Sequence, residues 1–523
     1  MTELTLEDHH RLVQGLLARL AARDEHGVPQ LIETHISSVI LSGDFAYKIK
    51  KPVDFGFLDF STLERRRHFC AEEIRLNGRL APQIYLDVVA ISGTIEAPLL
   101  EGPGDALEYA VRMRRFSQDA LLSHLADAGA LDIRSMNAVA AQVADFHARA
   151  AKAPSDSGFS TAQAAFFPVQ ENFEQLRPLI TGADSVAQLA RLEQWSRDRY
   201  ATLHERLTAR GATGWIRECH GDMHLGNMAL IDEAVVIFDG IEFSQRLRWT
   251  DVLGDVAFLA MDLDDRGLRS HGNRFLSAWL EHSGDYGALH LLNYYRVYRA
   301  MVRAKIDALR LTQPLSPAER EQVLAEYHGY ADLAERYTRS TSPVLCITHG
   351  LSGSGKSTAA LELVDRHGML RIRSDVERKR LHGLAPVARS GSSLGAGIYD
   401  ADTTRATYAR LVEIAETALD AGFPVVVDAA FLKRWQRQLF AELAARREAG
   451  FAILDLEVPV QELRERLVRR QARGSDPSEA DVAVLEQQIA DREPLTDEEL
   501  AARVRLPAGD AAAVIAALFI SAT

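Results

Sequence analysis

The chain has 523 residues, 47% hydrophobic and 25% charged, with a net charge of −13. That is a globular composition long enough for several cores, and its acidic balance weighs against a general nucleic-acid binder while leaving room for a local basic groove. The start, MTELTLEDHH, has no basic region leading into an apolar run, and no uncharged stretch reaches bilayer length, so neither a secretory signal nor a membrane span is expected. Cys70, Cys219 and Cys346 form no CxxC pair, which argues against a zinc site and predicts a reducing, cytoplasmic setting.

In chain order, apolar residues recur at three and four positions over Leu4 to Ala22, predicting an amphipathic helix. Two strands are expected next, His35–Leu41 and Phe45–Lys50, joined by a turn at Ser42-Gly43-Asp44. Alternation places Lys48 and Lys50 on one face of the second strand, together with Ala46. Ser61 to Leu80 reads as a helix with Ser61 or Thr62 as N-cap, and it carries Glu72-Glu73. Strands Ile84–Ile91 and Glu108–Met113 lead to Arg114-Arg115, and Asp119 to Arg210 is mostly helical.

The stretch Cys219–Phe243, CHGDMHLGNMALIDEAVVIFDGIEF, joins His220-Gly221-Asp222 and Asn227 to an apolar strand, Ala234–Phe238, that ends in Asp239-Gly240. A polar loop with turn-forming Asp and Asn is the plain reading. The second acid, at the strand end, favours phosphoryl transfer. That chemistry needs a carboxylate for the acceptor hydroxyl and oxygen ligands for the Mg²⁺ of ATP.

The order of these residues resembles the protein-kinase signature. Its His-Gly-Asp form is similar to the aminoglycoside phosphotransferase family, whose members share a protein-kinase-like fold and phosphorylate small molecules. By that resemblance Asp222 is the catalytic base, and Asn227 and Asp239 are Mg²⁺ ligands. Lys48, with Lys50 as second choice, would meet the ATP phosphates and pair with Glu73. Glu108–Met113 would lead into the hinge that meets adenine. The missing GxGxxG departs from protein kinases but not from the aminoglycoside phosphotransferases. Asp251 and Asp255 would cap and brace a structural helix.

Two long helices follow, Ala288–Leu311 and Ser316–Arg339. Arg296, Arg299, Arg303 and Lys305 on the first suit a solvated face, with acceptor binding as the alternative. Ser340-Thr-Ser-Pro343 reads as a boundary. The strand Val344–Thr348 then runs into Gly350-Leu-Ser352-Gly353-Ser354-Gly355-Lys356-Ser357-Thr358 and a helix, the strand and helix context that a phosphate-binding loop requires. In such a loop backbone N–H groups converge on phosphate, Lys356 reaches the β/γ oxygens and Ser357 holds Mg²⁺.

The remainder alternates strand and helix, predicting a parallel sheet flanked by helices, and the strand Pro424–Asp428 ends in an acid of Walker B form. Asp428 is accordingly a metal ligand or a structural strand end. Ser374-Asp375-Val-Glu-Arg378 resembles the substrate-side motif of polynucleotide kinases, zeta toxins and related P-loop kinases. The resemblance implies that Asp375 activates the acceptor hydroxyl and Arg378 contacts the acceptor. Arg466, Arg469, Arg470 and Arg473 look like the lid of such kinases, with Arg470 the nucleotide contact, although a solvated basic helix explains most of them.

The fold class expected is α/β and α+β in two domains. A bilobal protein-kinase-like domain covers 1–340, with an N-lobe of about 1–115 and a C-lobe of about 116–340, and a P-loop NTPase covers 341–523. The expected function is a bifunctional ATP- and Mg²⁺-dependent phosphotransferase acting on small hydroxylated acceptors, with neither acceptor identified. The alternatives are a regulator in which one ATP site gates the other, and a polynucleotide or nucleotide-sugar kinase in the second domain.

Overall fold

The computed structural model describes residues 3–22, 28–56, 58–154, 156–339, 343–386, 388, 397–473 and 481–505. The chain divides into two compact units that interleave in sequence. One comprises 1–131, 146–262 and 301–324, the other 132–145, 263–300 and 325–523.

The first unit is built on a six-stranded antiparallel sheet. Its strands are β1 (Gln30–Glu33), β2 (Ser37–Ser42), β3 (Phe45–Lys50), β4 (Tyr85–Gly93), β5 (Pro98–Leu100) and β6 (Glu108–Arg114), in the spatial order β1-β2-β3-β6-β4-β5. The two-residue alternation of the strands gives the sheet two apolar faces. Tyr47, Ile49, Val89 and Ile91 pack under Leu12, Val13 and Leu16 of the helix Leu6–Ala21. Tyr85 and Val111 pack with Cys70 of the helix Leu63–Asn77. Thr62 caps that helix by accepting Arg65 N–H at 3.3 Å. The strand expected from His35 begins at Ser37, because Thr34 to Ile36 form the tight turn from β1, a strand the sequence reading did not anticipate.

Four short strands complete this unit: β7 (Ile216–Glu218), β8 (Met228–Ile231), β9 (Ala234–Ile237) and β10 (Trp249–Asp251). β8 and β9 form a hairpin with Asp232 and Glu233 both at positive φ, the backbone that a two-residue hairpin turn requires. β7 pairs with β10.

The second unit holds a five-stranded parallel sheet of β11 (Val344–His349), β12 (Leu370–Arg373), β13 (Val425–Asp428), β14 (Gly450–Asp455) and β15 (Arg503–Arg505). Its order is β12-β13-β11-β14-β15, with the strand that feeds the glycine-rich loop in the centre. All of Val425–Asp428 and nearly all of β11 are buried, as expected where helices cover both faces. The helix Arg269–Ser283 packs along the edge strand β12, where Ser277 Oγ accepts Arg371 N–H at 3.2 Å and Arg274 Nε donates to Asp365 Oδ1 at 2.7 Å. The solvated face expected for Arg296 and Arg299 is corrected. Arg299 is buried and Arg296 lies over the Tyr337 ring at 5.2 Å, on a helix whose buried Tyr294, Tyr295, Val297 and Tyr298 leave little of its circumference exposed. Among the described residues no helix is long and apolar enough to cross a membrane.

Candidate active sites

Alternation along β3 turns Ala46, Lys48 and Lys50 toward the helix Leu63–Asn77, whose Glu73 is fully buried beneath both lysines. Lys48 Nζ lies 2.8 Å from Glu73 Oε1, and Lys50 Nζ lies 2.7 Å from Glu73 Oε2. Burial opposes ionisation of Glu73, but the two ammonium groups outweigh it and hold the carboxyl below its usual range. The lysines then diverge. Lys48 reaches Asp239 Oδ1 at 2.5 Å and lines a cleft, whereas Lys50 is fully buried and takes Glu242 as its second partner. Burial pushes the Glu242 carboxyl up, only partly offset by Lys50. Glu72 is turned away to Arg75 and Arg248, at 2.8 and 3.2 Å.

The hairpin register assembles the acidic side of the same site. Met228 faces Ile237, so the residues just outside the pair meet, and Phe238 N–H donates to Asn227 O at 3.0 Å. Asp239 follows directly. Asn227 Nδ2 donates to Asp222 Oδ2 at 3.0 Å, to Asp222 O at 2.9 Å and, at 3.5 Å, to Asp239 O. The loop is held from below, since Asp255 accepts the N–H groups of His220 and Gly221, both at 2.9 Å, and Asp262 accepts that of Leu225 at 2.9 Å. Gly221 needs its φ of +84°, where an L side chain is strained. Asp239 adopts φ +61° despite its side chain, and its neighbours hold it there. Its N–H donates to Tyr85 OH at 3.1 Å, and Gly240 N–H donates to Asn77 Oδ1 at 2.7 Å. Backbone strain at such a position costs on the order of 1–3 kcal/mol and persists only where the surroundings over-determine it.

His224 Nε2 lies 3.4 Å from Asp222 Oδ2. Burial would lower its pKa, but the Asp222 and Asp262 carboxylates prevail and raise it. The cleft beside these residues holds about 410 Å³ and is lined by Ala46, Lys48, Tyr85, Met113, Phe116 and Asp239. The β1–β2 turn covers it through Thr34 and Ile36. Thr34 Oγ1 accepts Ser37 N–H at 2.9 Å, so a side chain braces this turn without glycine. Asp239, 43% exposed, and Asn227 offer the hard oxygen donors that Mg²⁺ takes.

In the parallel sheet, β11 ends at the loop Gly350–Gly355, where Gly350, Gly353 and Gly355 all have positive φ. A Cβ on Gly350 would come within 2.8 Å of both Leu456 O and Ser354 Oγ. Lys356 opens the helix Lys356–His367, with Ser357 and Thr358 in its first turn, and its Nζ donates to Gly350 O at 3.0 Å and Leu351 O at 2.8 Å. Two side chains from far along the chain reach this loop. Gln488 Oε1 accepts Ser352 N–H at 2.8 Å, and Arg466 Nη1 donates to Gly353 O at 3.2 Å.

Asp428, at the end of β13, is buried with Oδ2 making no hydrogen bond, a donor suited to a cation. Arg373 Nε lies 3.7 Å from it. Asp375 lies in the first turn of the helix Ser374–Leu381. Arg378 is buried, donates to Ile398 O at 3.0 Å and Thr404 Oγ1 at 3.2 Å, and lies over the Tyr399 ring at 5.2 Å. The side chain of Arg470 is outside the described residues.

The structure therefore brings Lys48, Lys50, Glu73, Asp222, Asn227 and Asp239 into one cluster, and the loop 350–358 beside the strand end at Asp428 into another. Glu242, Gln488 and Arg373 were missed. Glu242 stands three residues after Asp239 and Arg373 directly before Ser374-Asp375, so both were within reach of a local reading, whereas nothing in the sequence marks Gln488.

Residues 345–495 match the model of an AAA domain family. An uncharacterized protein of Mycobacterium tuberculosis strain H37Rv is 30% identical over 460 residues, covering 88% of this chain and 90% of that protein. A choline/ethanolamine kinase family protein from Mesorhizobium loti overlays 62% of this chain and 98% of its own, at 12% identity and a TM-score of 0.39. A gluconokinase from Sinorhizobium meliloti overlays 35% of this chain and 92% of its own, at 22% identity and a TM-score of 0.25.

Proposed function

The chain belongs to the same family as the uncharacterized Mycobacterium tuberculosis protein, and from that premise we propose that it is an ATP-dependent phosphotransferase with two nucleotide sites. Each site moves the γ-phosphoryl of ATP to a hydroxyl of a small molecule. One observation carries the reading: Lys48, Asn227 and Asp239 line one cleft, and Asn227 holds Asp222 beside it. The functional division is 1–340 and 341–523, and the setting is cytoplasmic, in keeping with three buried cysteines that form no disulfide.

In the first site Asp222, held by Asn227 and His224, orients the acceptor hydroxyl and accepts its proton as oxygen attacks the γ-phosphorus and ADP leaves. Lys48, positioned by Glu73, meets the phosphates, and Asn227 and Asp239 hold the metal. In the second site the N–H groups of the loop 350–358 and Lys356 take the phosphates, Ser357 and Asp428 hold the metal, and Asp375 orients the acceptor. Bound Mg²⁺ neutralises charge on the phosphate oxygens.

The test is transfer of labelled γ-phosphate by purified protein to hydroxylated metabolites, nucleosides and oligonucleotide ends. Turnover on a small hydroxylated acceptor that is lost in Asp222→Ala or in Asp375→Asn supports the proposal. Binding of ATP with no acceptor-dependent turnover would favour a regulator, and turnover on oligonucleotide ends alone would favour a polynucleotide kinase.

A further inference from the structure

Arg373 is the last residue of β12, and its register partner on the neighbouring parallel strand is Asp428. Two strands in parallel register direct these side chains to the same face, at the carboxyl edge of the sheet where α/β proteins bind ligands. Arg373 Nε stands 3.7 Å from Asp428 Oδ2, the oxygen with no hydrogen bond. On its other side Arg373 Nη1 lies 3.2 Å from Glu281 Oε1, and Glu281 Oε2 lies 2.9 Å from Arg371 Nη2. Glu281 comes from the helix Arg269–Ser283, some ninety residues earlier in the chain and before the boundary at 340. Arg380 fixes the same turn by donating to Glu281 O. Burial opposes ionisation of Glu281, but Arg371 and Arg373 outweigh it and hold its carboxyl below the usual range.

Arg373 thus stands between two carboxylates, one at the metal side of the P-loop site and one outside it. An arginine beside a metal-binding carboxylate competes with the cation for that carboxylate, and a second carboxylate drawing on the same guanidinium weakens the competition. We infer that Glu281 is a positioning residue of the P-loop site: by holding Arg373 it keeps Asp428 available to the Mg²⁺ of the bound nucleotide. This rests on the reading of Gly350–Thr358 and Asp428 as a nucleotide·Mg²⁺ site. It makes a helix that precedes the P-loop domain part of that domain's active machinery.

The test uses the full chain in an Asp239→Asn background, so that the other site's metal acid is absent, and measures binding of ADP by calorimetry across a Mg²⁺ titration. In the parent, binding should depend on Lys356. Glu281→Gln releases Arg373 to Asp428, and the Mg²⁺ midpoint should rise about three- to ten-fold, the range expected for groups in one ion-pair network. Glu281→Gln placed on Arg373→Gln should move the midpoint no further, because the residue through which Glu281 acts is gone. Arg371→Gln disturbs the same cluster without touching Asp428, and should leave the midpoint unchanged or lower.

Circular dichroism and the unfolding midpoint establish that each variant is folded. Binding in the parent that does not depend on Lys356 would overturn the site reading and this inference with it. Lys356-dependent binding with an unmoved midpoint in Glu281→Gln, or a rise of equal size in Arg371→Gln, would overturn the inference alone. Should Glu281→Gln not fold, Glu281→Asp, which keeps the charge but shortens the reach to Arg373, takes its place with the same expected direction.

Discussion

At the scale of single residues, two lysines two positions apart on one strand do different work. Lys48 lines the cleft and touches Asp239, whereas Lys50 is sealed between Glu73 and Glu242. Lys48→Met should therefore abolish ATP binding at the first site while the protein stays folded. Lys50→Met strands two buried carboxylates and should cost about 3–5 kcal/mol of stability, the usual result of breaking a buried pair. Urea unfolding and calorimetric ATP titration of both variants separate the two roles. The reverse pattern, with Lys50→Met folded but unable to bind, would exchange them. Asp222→Ala should lower the first site's turnover by about 10²–10⁴-fold with ATP affinity nearly unchanged, since a base acts in the transition state rather than on the bound nucleotide.

At the scale of elements, the site depends on where short elements deliver their ends. The β8–β9 hairpin sets Asn227 beside Asp239, and the helix behind Thr62 delivers Glu73. The apolar run Ala234–Phe238 ending in Asp-Gly and the capped helix were legible in the sequence, because both carry local signals, whereas β8, the other strand of the hairpin, was not. Choosing Glu73 over Glu72 rested on resemblance, and the helix supplies the physical reason: neighbouring residues on a helix face different ways, so one glutamate meets the lysines and the other the arginines. The β1–β2 turn was not legible, since Thr34 braces it through a side chain rather than glycine. Gln488 meets Ser352 across 136 positions, and no local pattern announces a pairing of that kind.

The docking of the helix Leu6–Ala21 on the sheet should depend on pH through His9. His9 is buried with Nε2 3.0 Å from Ser38 Oγ, and burial, aided by Lys51, lowers its pKa from the ordinary 6.5 to about 4. The unfolded chain therefore takes up this proton first. The stability contributed by neutral His9 is full above pH 6.5 and lost as pH falls toward 4. Unfolding midpoints measured across that window should fall with acid less steeply in His9→Gln than in the parent. Equal slopes would remove His9 as the cause.

At the scale of the whole molecule, the proposed function gives the chain two sets of phosphate-handling groups, each with its own lysine, metal-side acid and acceptor-side acid. The boundary expected at 340 rests on Ser340–Pro343 interrupting one pattern before a P-loop opens the next. The sequence did not reveal that the compact units interleave. The helix Arg269–Ser283 belongs with the parallel sheet, and its attachment runs through Arg274–Asp365 and Glu281–Arg371, pairs about ninety residues apart. Surface-like charge patterns conceal such pairs, since an arginine bound to a distant carboxylate reads like a solvated one.

On the proposed function, two phosphoryl-transfer sites operate in this chain, each with its own chemistry. This is tested most directly by resolving the labelled products that wild type, Asp222→Ala and Lys356→Ala form from γ-labelled ATP and a panel of hydroxylated acceptors. Two products are expected in the wild type, with Asp222→Ala losing one and Lys356→Ala losing the other. A single product, lost alike in both folded variants, would contradict it.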